Sequence, residues 1–283
     1  STAGSRILEG WLSPYDAHIA ERLRAVTERM PVVLVKGGAT AGGQRAAASH
    51  TGALASDDRV FDGVCRQAGA IRAGSIEEAF EVAATLATQP PPRGDRVAVL
   101  TTAGGWGVVT ADAIHRSELE LLALPDDLRA AIDEKLPPRW SRNNPIDLAG
   151  GETRDTIPEV LELVAAHPDV DAVVVLGLGI QSNQARLMRE GPFYPDHGLA
   201  RIVDYHERQD ARFARAAAEA SARTGKPVLI ATELAFADPG NAGPATVRET
   251  GRLCYVSADR AVRALELCWR DARHRMRRDA ATP

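Results

Sequence analysis

Short apolar runs alternate with stretches of helical spacing along the whole chain, and no other feature restricts its fold as much. Val97-Ala-Val-Leu100 and, within Asp171-Ala-Val-Val-Val-Leu176, the residues after Asp171 are apolar at successive positions, as are Pro31-Val-Val-Leu-Val35, the end of Gly225-Lys-Pro-Val-Leu-Ile230 after Lys226, and Leu253–Val256. A strand with no polar alternation is covered on both faces, which is the condition of a parallel sheet. Shorter strands are expected at Ala70–Ala73 and Leu119–Leu124. Helical spacing fills the intervals. Ile19, Leu23, Val26 and Met30 recur at three- and four-residue steps within 14–30. Ser75-Ile-Glu-Glu78 is a capping box that opens a helix to about Leu86. Further helices are expected at 57–68, 107–116, Asp126–Leu136, Asp155–Ala166 and from about Ala258. This order predicts an α/β fold with mainly parallel sheets, arranged as two tandem doubly wound domains.

The boundary between them is expected at Gln89-Pro-Pro-Pro-Arg-Gly94, since three consecutive prolines cannot continue a helix. That gives domains over 1–92 and 93–283. Residues 180–210 hold Gly191, Pro192 and Pro195 among charged helix formers and read as an insertion. A formal charge of −4 argues against a nucleic-acid partner. The basic run Arg270–Arg278 reads as the solvated end of a terminal helix. Cys65, Cys254 and Cys268 lack metal-ligand spacing and sit in apolar patterns, so free thiols in a reducing cytoplasm are expected, with no metal site. No run of 18 apolar residues predicts a membrane span. The chain opens on Ser1 and is read as a segment of something longer.

In open parallel sheets, ligands bind beyond the carboxyl ends of the strands. After Val32–Val35 comes a small-residue segment, Gly37 to Thr51, read as a loop. It carries Ala46-Ala-Ala-Ser-His-Thr-Gly-Ala-Leu54. His50 there has no bulky neighbour, and imidazole can attack phosphorus and release it again. A loop histidine without a role fits the same spacing. After Val97–Leu100 comes Thr101-Thr-Ala-Gly-Gly-Trp-Gly107. Glycines between strand and helix present amides at the helix start, where an anion is favoured. Gly104, Gly105 and Gly107 are therefore candidate phosphate ligands, or simply a tight turn. If Arg6–Leu8 is a first strand, Glu9 stands at its carboxyl end, where it can fix the tautomer of His50. A surface glutamate is the alternative. Asn143-Asn-Pro-Ile-Asp147 reads as a structural turn.

Together these runs resemble a known family. Pro31-Val-Val-Leu-Val-Lys-Gly-Gly38 and Ala46-Ala-Ala-Ser-His-Thr-Gly-Ala-Leu-Ala55 are similar to the phosphohistidine domain of ADP-forming acetyl-CoA synthetases. They are similar, more distantly, to the α subunit of succinyl-CoA synthetase. Val97–Gly105, Asn144-Pro-Ile-Asp-Leu148 and Asp169–Val175 resemble that family's second ligase domain. The resemblance implies two flavodoxin-like domains of a synthetase that interconverts acid, CoA and NTP with acyl-CoA, NDP and phosphate. It implies that His50 carries the phosphoryl group, that Glu9 pairs with it, and that the helix opened by Gly104 and Gly105 faces phosphate. Coenzyme A enters as a substrate and no cofactor is tightly bound. ATP or ADP and Mg2+ belong to CoA-binding and ATP-grasp domains outside this chain, in cis or on another chain, in an oligomer. Trp106 stands where the family often has a smaller residue or proline, and either narrows the acyl pocket or packs against a neighbouring domain. Two other readings stay open: an acyl-CoA-sensing regulatory module, and a flavodoxin-like electron carrier on fold analogy alone.

Overall fold

The computed structural model describes residues 17–51, 57–148 and 155–281, with the backbone alone at 17, 19, 47–51 and 281. The chain divides into two compact units, Ser1–Ala87 with Arg270–Pro283, and Thr88–Trp269. The break falls just ahead of the proline run.

In the first unit the elements are α1 (Ala17–Thr27), β1 (Val33–Val35), α2 (Ala41–Thr51), α3 (Asp58–Ala68), β2 (Ile71–Ala73) and α4 (Ile76–Thr88). β1 and β2 pair in parallel, Val33 opposite Ile71 and Val35 opposite Ala73. The segment read as a loop up to Thr51 is helical from Ala41 onward. The reason is local. Thr40 Oγ1 accepts the Gly43 amide at 3.2 Å, a cap for the first turn, and Ala46–Ala48 are strong helix formers. The capping box forms as expected at its serine, where Ser75 Oγ accepts the Glu78 amide at 3.1 Å. Glu78 itself reaches back to the Gly74 amide at 2.7 Å. α3 ends on Gly69 in the left-handed region, φ +71°. The His274 ring lies where a Cβ on Gly69 would stand, so glycine is required there twice over.

The second unit contains β3 (Arg96–Thr101), α5 (Gly104–His115), β4 (Glu120–Leu121), α6 (Asp126–Asp133), β5 (Ile146–Asp147), α7 (Thr156–Ala166) and β6 (Ala172–Leu176). It continues with α8 (Ile180–Arg189), α9 (Leu199–Thr224), β7 (Val228–Ala231), α10 (Leu234–Ala237), α11 (Ala242–Glu249), β8 (Cys254–Tyr255) and α12 (Ala258–Ala281), whose residues from Arg270 onward belong to the first unit. The sheet is parallel with order β4-β3-β6-β7-β8, and β5 also pairs with β3. This is a flavodoxin-type order, whose chain reversal puts a topological switch point at the carboxyl ends of β3 and β6. Val97–Leu100 and Ala172–Leu176 are buried throughout, as runs without polar alternation require. The stretch 180–210, expected as an insertion, is filled by α8 and the first part of α9, which form the crossover from β6 to β7.

β4 and β5 share one flank of β3. β4 pairs at its amino end, Arg96 opposite Glu120, and β5 at its carboxyl end, Thr101 opposite Asp147. The buried side chain of Asn144 bridges the gap between them. Its Oδ1 accepts the Val99 amide at 2.9 Å, and its Nδ2 donates to Val97 O at 2.8 Å and Leu122 O at 2.9 Å. One amide thereby replaces the missing rungs of the ladder, and the structural reading of this segment accounts for Asn144. At the opposite end of the sheet, Arg96 binds Asp169 at 2.6 Å and Asp171 at 2.9 Å, fixing the β3–β6 register.

Candidate functional site

Two helices begin at the switch point, and their amino ends differ. α5 starts at Gly104 after Ala103, which supplies no side-chain cap. Trp106 and Gly107 donate their amides to Ala103 O at 3.1 and 3.4 Å. The amides of Gly104 and Gly105 are the first two of the helix, which have no intrahelical acceptor, and the positive end of the macrodipole adds to them. A Cβ on Gly104 would collide with the Asp147 carboxylate, while one on Gly105 would meet nothing within 4 Å among the described residues. Gly105 thus faces open space, and Gly104 is glycine because β5 brings Asp147 against it. Gly107 takes a different part. It is buried, and a Cβ there would sit 3.0 Å from Pro145 Cβ and 3.2 Å from Thr101 Cγ2. It allows close packing of α5 on the sheet, which leaves the exposed Gly105 and the half-buried Gly104 as the donors.

α8 starts after β6, and its end is already filled. The Asp210 carboxylate, reaching over from α9, accepts the Gly179 amide at 3.1 Å and the Ser182 amide at 2.6 Å. Asn241 Nδ2 donates to Gly179 O at 3.0 Å beside it. Asp210 is 2% exposed, and burial pushes its carboxyl above the ordinary carboxylate range despite those two amides. An anion arriving at this edge finds the α8 end taken, whereas among the described residues no side chain hydrogen-bonds to the α5 end, although the Asp147 carboxylate stands beside Gly104.

Next to the α5 start is a cleft of about 90 Å³. Trp106, Val109, Leu176 and Ala231 form its apolar lining, and Glu233 and Asp259 stand in its wall. Leu176 and Ala231 end β6 and β7, so the cleft sits on the carboxyl edge of the sheet.

In the first unit, the excursion over 37–57 leaves from β1 and rejoins the fold at α3. Lys36 Nζ lies 3.5 Å from Asp58 Oδ1, so both ends of the excursion are held at the carboxyl end of β1. Arg72 Nη2 binds the same carboxylate at 2.6 Å, and this bond holds the Asp58 carboxyl below its usual value. His50 lies in the last turn of α2, within the excursion. Its side chain lies outside the described residues, and so does Glu9. Among the described residues no group of three His, Cys, Asp or Glu is placed to hold a metal ion, and no helix is long and apolar enough to cross a membrane. The Lys36–Asp58–Arg72 cluster and the Asp210 cap escaped the sequence reading. Spacing carries no signal for partners as far apart along the chain as Gly179 and Asp210.

Comparison with known proteins follows the same division. The succinyl-CoA ligase-like flavodoxin domain matches residues 13–86, and the ligase-CoA domain matches residues 97–181. The α subunit of ADP-forming acetate–CoA ligase I from Pyrococcus furiosus is 35% identical over 156 residues, which cover 55% of this chain and 34% of that one. ADP-forming acetate–CoA ligase II from Archaeoglobus fulgidus is 41% identical over 124 residues, 44% of this chain and 18% of that one. The dinucleotide-forming acetyl-coenzyme A synthetase 1 of Ca. Korarchaeum cryptofilum, solved with phosphate and ADP, superposes with a TM-score of 0.73 at 27% identity. The superposition covers 98% of this chain and 54% of that protein. The chain therefore spans about half of the solved synthetase, and its matched segments span about a third or less of the two curated relatives. The chain thus carries, in this order, the succinyl-CoA ligase-like flavodoxin domain and the ligase-CoA domain, and its relatives with these segments are ADP-forming CoA ligases.

Proposed function

We propose that this chain is the central portion of an NDP-forming acyl-CoA synthetase and that His50 carries phosphate through its cycle. Phosphate oxygen attacks the thioester carbon of acyl-CoA, CoA leaves as the thiol, and an acyl phosphate forms. An imidazole nitrogen of His50 then attacks phosphorus and the carboxylate leaves as free acid. The phosphoryl group finally passes to NDP, giving NTP and free imidazole. Glu9 holds the proton on the other ring nitrogen and steadies the charge of the phosphorylated ring. The amides of Gly104 and Gly105 stabilise the phosphoryl oxygens, since such transfers depend on positioning and charge more than on covalent machinery.

The observation that carries this reading is the uncapped amino end of α5 at the switch point, beside an α8 end that Asp210 fills. CoA and nucleotide binding, with the Mg2+ that accompanies the nucleotide, fall to CoA-binding and ATP-grasp domains outside this chain, and the assembly is an oligomer. The test incubates the complete protein with radiolabelled phosphate, acyl-CoA and Mg2+. Wild type gains an acid-labile, base-stable label and His50→Ala gains none. A wild type that binds acyl-CoA by calorimetry yet never takes up label returns the protein to the regulatory reading.

A further inference from the structure

The scheme above works at the carboxyl ends of the strands and leaves the opposite edge of the same sheet unused. We propose that Lys226, at that amino edge, is an acylation site: its ε-amine takes the acyl group of an acyl phosphate whose phosphate is held by Arg93. The proposal goes beyond the reading above, and its test adds the acyl donor directly.

Scarcity is the first argument. Of 34 basic side chains only Lys36, Lys135 and Lys226 are lysines. A neutral amine can attack an acyl carbon, whereas a guanidinium stays charged and cannot. The three lysines differ in their partners. Lys36 Nζ lies 3.5 Å from Asp58 Oδ1 and Lys135 Nζ 3.1 Å from Glu159 Oε2, and a carboxylate favours the protonated form. Lys226 Nζ donates instead to the His167 carbonyl at 2.6 Å, and among the described residues it forms no ion pair. A neutral amine keeps that bond through one N–H and still presents its lone pair.

The surroundings are the second argument. The charges that act on Lys226 are those of Asp171, Arg93, Arg96 and Asp169. Both carboxylates are already held by Arg96, Asp169 at 2.6 Å and Asp171 at 2.9 Å. The His167 ring is turned to Asp127 at 3.4 Å and accepts the Asp169 amide at 3.2 Å, so only its carbonyl serves Lys226. Lys226 is half-buried, and burial lowers the pKa of its ammonium, an effect to which Arg93 and Arg96 add.

The anchor is the third. Arg93 is exposed and, among the described residues, has no hydrogen-bond or ion-pair partner. Its guanidinium lies over Gly225, the residue before Lys226, where a Cβ would stand 3.4 Å from Nη2. A guanidinium grips phosphate through paired N–H groups. In the step itself, the amine nitrogen attacks the acyl carbon and the bond from that carbon to the phosphate oxygen breaks. Phosphate leaves with the electron pair, the nitrogen loses a proton to solvent, and an ε-N-acyl amide remains.

The complete protein is treated with acetyl phosphate from about pH 7 to about pH 10, and each lysine is followed by peptide mass spectrometry. Lys226 is expected to acquire acetyl about tenfold faster than Lys135 near pH 8 and to reach its maximal rate at lower pH. Arg93→Gln should slow Lys226 about tenfold with acetyl phosphate and much less with the uncharged N-acetoxysuccinimide. Relative to Lys135, acetyl-CoA should favour Lys226 less than acetyl phosphate does. Labelling of Lys135 as fast as Lys226 overturns the proposal. So does equal slowing of both reagents by Arg93→Gln, and so does a stronger preference for Lys226 with the thioester. None of these readouts involves His50, so their outcome is independent of the phosphate labelling that tests the proposed function.

Discussion

The amino ends of α5 and α8 start a few residues past neighbouring strands of one sheet, yet among the described residues no side chain bonds to the first and a carboxylate seals the second. α5 opens on paired glycines with no side-chain cap. α8 opens on Gly179, whose amide and that of Ser182 are taken by a buried carboxylate. Both helices have the same orphan amides and the same macrodipole. What separates them is whether the chain spends its own anion on the helix start or leaves it for a ligand. A fold needs the sealed kind for stability and the open kind for chemistry, and this unit has one of each at its switch point.

The contrast can be broken from either side. Asp210→Ala removes the acceptor of two buried amides and should cost about 2–5 kcal/mol in urea unfolding. A loss near zero would mean that α8 holds itself together and that its end is not sealed by that carboxylate. Ala103→Asp gives α5 the cap it lacks. Phosphate labelling of His50 should fall about 100-fold, as for loss of a preorganised oxyanion donor. The same variant should gain about 1 kcal/mol of stability, the usual worth of such a cap. Undiminished labelling would remove Gly104 and Gly105 from the phosphate site. The smallest effect is in the pH dependence of unfolding. Asp210 is raised by burial, so the folded state binds its proton more readily than the unfolded state. Its contribution is fully present below the ordinary carboxylate range and is lost as pH rises through the folded value. Asp58, lowered by its bond to Arg72, works in the other direction and loses its contribution as pH falls below that range. Asp210→Asn should flatten the first slope and leave the second. Identical pH profiles would show that Asp210 titrates as an ordinary carboxylate.

Much of this was legible in the residues. β3 and β6 are buried on both faces and announce themselves as uninterrupted apolar runs. The capping box at Ser75 is where spacing put it, whereas α5 begins at Gly104, three residues ahead of the helix expected over 107–116, so the glycines form its first turn rather than a turn before it. α2 was misread because alanine, serine and glycine describe a supple loop and an alanine-rich helix equally well; Thr40 was the overlooked cue. Residues 180–210 read as an insertion because glycines and prolines interrupt them, and these interruptions lie between the two helices of the β6–β7 crossover. Asn144 could be placed in a turn, not in the gap between β4 and β5, because that gap exists only once both strands lie on β3.

The sequence by itself determined the alternation of strands and helices, the parallel class of the sheet and the capping box at Ser75. Each follows from neighbours within about a dozen positions, where hydrophobic period, capping and backbone freedom act directly. Tertiary structure alone decided that Asp210 seals α8, that Asp147 forces glycine at position 104, and that Trp106 meets Leu176 and Ala231 around one cleft. These depend on strand order and crossover path, which bring together side chains far apart along the chain, and no local preference encodes such a meeting.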